Sequence, residues 1–76
     1  MDSSLVRAEV PVSAEAYAAL ASRPDLVREC ISAAASSMVD VAHERGRVLI
    51  ETPRLVDQAD AGAIIRLIFD AQTAKR

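Results

Sequence analysis

Seventy-six residues, 51% of them hydrophobic, with a formal net charge of −2, describe one globular domain spanning residues 1–76 and exclude a disordered chain. The near balance of charge gives no general pull toward nucleic acid or an anionic membrane. One cysteine cannot form an internal disulfide, and no apolar run approaches the roughly 18 residues of a membrane span, so no membrane partner is expected.

Residues 5–12, "LVRAEVPV", alternate in the manner of a half-buried strand. Val6, Ala8, Val10 and Val12 point one way; Leu5, Arg7, Glu9 and Pro11 point the other. Pro11 lacks a donor N–H, which places the strand at a sheet edge or the residue near its end. Ser13 precedes "AEAYAALA" and suits an N-cap, because its hydroxyl can accept from an N–H of the first turn. This short helix is interrupted at "SRPD", where Pro24 suits the first turn of a second helix and Ser22 with Asp25 has the spacing of a capping box.

The second helix is expected over residues 23–44, with Val27, Cys30, Ile31, Ala34, Met38, Val41 and Ala42 on its buried face. Gly46 can supply the left-handed residue that ends it. "RVLIETPRL" reads as a second strand, with Val48, Ile50 and Thr52 facing inward and Leu49 outward. Asp57 then caps a last helix, "QADAGAIIRLIFDAQTAKR", whose Ala61, Ile64, Ile65, Ile68 and Ala71 share a face and whose Arg66 and Asp70 pair at i,i+4. The expected fold is α+β: a small β-α-α-β-α domain with two antiparallel strands packed against three helices. Pro24 favours a helical hairpin, so the second strand returns antiparallel to the first, with Val10 opposite Val48, Ala8 opposite Ile50 and Arg7 opposite Glu51.

The chemistry-bearing residues are sparse. His43 has no nucleophile or carboxylate at a motif spacing, and "HE" alone is not a metal site. Cys30 lies mid-helix in line with Val27 and Ala34, the position of a small buried hydrophobe. The two glycines are too far apart for a phosphate loop. No catalytic, cofactor or metal residue is assigned, no small-molecule substrate is inferred, and a non-enzyme is expected. Arg45, Arg47 and Arg54 form a local basic cluster.

The stretch "VRAEVPVSAEAYAALASRPDLVRECISAA" resembles the ribbon-helix-helix family of DNA-binding proteins over residues 5 to about 39. The resemblance implies a dimeric transcriptional regulator, with Arg7 and Glu9 facing DNA beside Leu5 and the start of the second helix near phosphate. Arg45, Arg47 and Arg54 would add contacts to the backbone.

The preferred reading rests instead on surplus apolar residues. Leu5, Leu49, Leu67 and Phe69 exceed what a small two-stranded core needs, and such a surplus marks an interface. A chain this short buries only about 60% of its unfolded surface, so a homodimer is expected to steady it. "MDSSLVRAEV" lacks an apolar targeting core, and a cytoplasmic location is expected. The reading is a small protein-protein interaction domain that binds a protein partner. By analogy, it suits a phage or mobile-element accessory protein that perturbs a host factor. DNA binding is the alternative.

Overall fold

The computed structural model describes residues 3–76; Met1 and Asp2, the first residues of the stretch read for targeting, lie outside it. The chain runs through strand β1 (Ser3–Ser13), helix α1 (Ala14–Ala19), a 3₁₀ turn (Leu20–Ser22), helix α2 (Pro24–Glu44) and strands β2 (Arg47–Leu49), β3 (Arg54–Ala61) and β4 (Ile64–Lys75). All four strands form one antiparallel sheet built on β4. β1 lies along one side of β4, from Ser3 opposite Ala74 to Ser13 opposite Ile64. The other side is shared end to end: β3 pairs residues 64–70 and β2 pairs 73–75. The break between them is closed by single contacts. Ile50 N–H donates to the Gln72 carbonyl (3.1 Å), and the Glu51 carboxylate accepts from the Gln72 N–H (2.7 Å).

β4 is the spine because its side chains alternate. Ile65, Leu67, Phe69, Ala71 and Thr73 are all buried on the helix side. Ile65, Leu67, Phe69 and Ala71 form one core with Val6 and Ala8 of β1 and with Cys30, Ala34 and Met38 of α2, whose buried stripe continues to Ala42. The four-residue spacing of that stripe keeps one helical face on the sheet. Its three alanine and cysteine positions are small, so the helix sits close. Ser13 caps α1, accepting from the Ala16 N–H at 3.1 Å. Pro24 opens α2, and Gly46 at φ +68° follows its end. β3 and β4 are joined by the two-residue turn Gly62-Ala63. Gly62 stands at φ +74° and Ala63 does not, the glycine-first pattern of a hairpin turn matched to strand twist. Among the described residues no helix is long and apolar enough to cross a membrane.

The structure corrects the second half of the expected fold. The described residues form two α-helices and four strands, not three helices and two strands. The expected last helix is the β3 end, a turn and β4; Asp57 caps nothing helical and lies within β3. β1 and β2 are not neighbours. Both run antiparallel to β4 and therefore parallel to each other, with β4 between them. Val10 is opposite Leu67, Ala8 opposite Phe69 and Arg7 opposite Asp70, so Val48, Ile50 and Glu51 are not their partners. Asp70 binds Arg7 across the sheet rather than Arg66 along a helix. In β2 the faces are reversed. Leu49 packs on the core, while Val48 and Ile50 are exposed. Ser22 and Asp25 form no capping box: Ser22 Oγ donates to the Ala19 carbonyl, and Asp25 pairs with Arg23.

Candidate functional site

α2 covers β1, β4 and β2 but leaves β3 bare, and all eight β3 residues are exposed. An apolar groove of about 440 Å³ results between the N-terminal half of α2 and β3. Leu20 and the first turns of α2, with Val27, Cys30 and Ile31, form one wall. Leu55 forms the other, entering β3 after the buried Pro53. Leu67 and Phe69 make the floor. Leu55 is opposite Phe69 in the ladder, so both side chains stand on the helix side of the sheet. At one end the Tyr17 hydroxyl donates to Gln58 Oε1, tying α1 to β3. Burial pushes the Cys30 thiol up from its ordinary pKa, so it stays a neutral, apolar part of the wall. Arg54 borders the groove, but it is opposite Asp70 in the ladder, so its side chain belongs to the other face of the sheet.

Among the described residues no helix lies on the opposite face of the sheet. One row across it reads Arg54, Asp70, Arg7, with Asp70 opposite both arginines. Arg7 Nε and Nη2 donate to the two Asp70 oxygens at 2.8 and 3.1 Å. This hydrogen-bonded arginine, with its charge and that of Arg54, holds the Asp70 carboxyl below the usual carboxylate range. The sign follows. A depressed folded pKa adds stability at neutral pH that disappears as pH falls through about 4 toward the folded value. Asp70→Asn is therefore expected to be less stable than wild type at pH 7, with the gap shrinking steadily in acid. Urea titrations of both proteins at several pH values check this; a gap independent of pH would deny the pair its role. Beside the row lies a shallow depression lined by Glu9, Pro11, Ala61, Ile64 and Arg66.

The residues expected at a site are dispersed. Leu5 is 52% exposed on the bare face, Leu49 is half-buried against the core, and Leu67 and Phe69 are core residues at 1% and 3%. Leu67 and Phe69 reach the surface only as the groove floor. Of the residues expected to contact DNA, Arg7 and Arg54 flank Asp70, and Glu9 shares their face. Arg47 donates to Thr73 Oγ1 and to the Thr73 carbonyl, and Arg45 is exposed at the end of α2. These five positions form no continuous basic surface. His43 lies 3.4 Å from Arg76 at the end of α2. Among the described residues no three His, Cys, Asp or Glu side chains gather closely enough to hold a metal. Leu55 and Val27 are the groove residues the sequence reading missed as surface. Leu55, flanked by Pro53 and by exposed Val56, carried the available signal.

No known family model matches this chain, and neither a curated protein nor a solved structure matches it.

Proposed function

We propose that this chain is a non-enzymatic protein-binding domain, and that the groove between α2 and β3 takes an apolar segment of a protein partner. The carrying observation is the groove itself. Val27 and Leu55 remain 38% and 50% exposed on its walls. Apolar surface gathered in one concave place costs a monomer solubility and favours association. A catalytic pocket would bring several convergent polar groups, whereas this lining is apolar apart from the bordering Arg54. Binding and occluding a partner's surface is also the mode of action that an accessory protein of a phage or mobile element would use.

Leu55→Asp tests the reading. Half-exposed Leu55 can be changed with little loss of fold, which circular dichroism checks. The wild-type chain is expected to retain a protein from nuclease-treated bacterial lysate, and Leu55→Asp to retain it on the order of thirtyfold more weakly, as for an interface anchor. Equal retention by both proteins would remove the groove as the binding site.

A further inference from the structure

The sheet has two free edges, and they differ. β3 is protected against strand addition. Its ladder with β4 is broken by an irregularity between Leu55 and Asp57. Asp57 Oδ1 also accepts from the Gln58 N–H at 2.8 Å. The Ile50–Gln72 bond shows that even-numbered β4 residues turn toward β3. Gln58, opposite Leu67, therefore has its N–H on the outer edge, where the Asp57 side chain occupies it. Bulges and inserted charge are devices that close an edge.

β1 has no bulge; of the edge-closing devices it carries Pro11, near its end, and the opposite charges of Arg7 and Glu9. The Ala14 N–H donates to the Ala63 carbonyl, in step with the β1–β4 ladder. Antiparallel ladders alternate, so even-numbered β1 residues bond to β4 and odd-numbered ones turn their N–H and C=O outward. Pro11 is odd-numbered, and its missing donor falls on the outer side, leaving the ladder with β4 intact. Among the described residues no strand lies beside that edge.

We propose that the outer edge of β1 pairs antiparallel with the same edge of a second copy, about a two-fold axis at Ala8. This register overlaps all of Ser3–Ser13 with itself, because Ala8 is the centre of the strand. It sets Arg7 opposite Glu9 of the second copy, twice by symmetry, in the hydrogen-bonded positions. Val6 meets Val10 on the helix side. Leu5, 52% exposed in one copy, meets Pro11 on the bare face. Axes at Arg7 or at Glu9 would instead oppose like charges, which is destabilising. Arg7 keeps a side chain 64% exposed while bonded to Asp70, and its guanidinium has donors beyond the two that Asp70 receives. The row Arg54, Asp70, Arg7 thus continues into Glu9 of the second copy with alternating sign. Pro11 withholds one donor at each end of the pairing. The groove lies across the sheet from this edge and stays open, so the two sites stand or fall separately.

Sedimentation of the full chain tests the proposal. Wild type is expected at twice the 8.1 kDa monomer mass at micromolar concentration. Glu9→Arg, an exposed change, places arginine opposite Arg7 twice and is expected to weaken the dimer at least about tenfold. Arg7→Glu does the same with carboxylates. Mixing the two variants restores both opposite-charge pairs, so a heterodimer is expected from two weak homodimers. If Arg7→Glu fails to fold without its bond to Asp70, Glu9→Arg against wild type decides the matter. A monomeric wild type, or a Glu9→Arg dimer as tight as wild type, would overturn the proposal.

Discussion

Met38→Ala is expected to lower the free energy of unfolding by about 2–5 kcal/mol, a large part of the roughly 5–15 kcal/mol that holds a typical domain together. Met38 is fully buried and belongs to the core shared by α2 and the sheet. The other buried positions of the α2 stripe, Cys30, Ala34 and Ala42, are short. Met38 is therefore the one long side chain with which that stripe fills the interface. Alanine favours helix at least as well as methionine, so the loss is one of packing rather than of local propensity. The walls of the resulting void include Ala residues that cannot reach into it, and relief requires the whole helix to move. Urea denaturation measures the loss. A change below about 1 kcal/mol would mean that α2 settles onto the sheet and closes the void.

The elements of the first half are legible in the sequence because their boundaries and the α2 face have one reading, although Ser22 and Asp25 do not form the capping box their spacing suggests. Ser13, Pro24 and Gly46 mark helix ends by capping and backbone chemistry, and the α2 stripe repeats for the length of the helix. The C-terminal third supports two periods at once. Ala61, Ile64, Ile65, Ile68 and Ala71 fit a helical face, while Ile65, Leu67, Phe69, Ala71 and Thr73 fit a strand. Both patterns coexist because β4 is central. Its bare-face residues Ile64 and Ile68 are apolar too, and a near-continuous apolar run hides its alternation. The β-branched and aromatic residues favour a strand, and Gly62 at φ +74° makes the turn that a helix there would forbid. The misread helix carried the site with it. Leu67 and Phe69 looked like surplus surface because their places in the buried row of β4 were not recognised. The groove is a consequence of dimensions. A helix about 10 Å across covers roughly two strands spaced about 4.8 Å apart. With one long helix over three columns of strand, α2 packs on β1, β4 and β2, and β3, the rest of the column it shares with β2, is left uncovered; residue spacing does not show which part that is.

Thr73→Val is expected to destabilise the domain by about 1–3 kcal/mol, although it preserves the shape and the strand propensity of a fully buried residue. Thr73 Oγ1 donates to the Ser4 carbonyl at 3.0 Å, lies 3.3 Å from Ser4 Oγ, and accepts from Arg47 Nε at 2.8 Å. One hydroxyl in the central strand therefore clasps β1 on one side and β2 on the other, at the end where β2 is only three residues long. Valine leaves the Arg47 N–H without this acceptor and the Ser4 carbonyl without this donor, and polar groups beside a buried methyl lose more than a neutral exchange would. Thr73→Ser keeps the hydroxyl and removes a methyl, so it separates the two contributions. Serine is expected to retain the clasp and lose only packing, with hydrogen-exchange protection persisting at the start of β1. Valine is expected to lose that protection locally as well as stability globally. Since Ser3–Ser13 must stay extended to pair with a second copy, the valine variant is also expected to dimerise more weakly with Arg7 and Glu9 untouched. Equal stability and exchange in the valine and wild-type proteins would show that the strand ladder alone holds this end of the sheet.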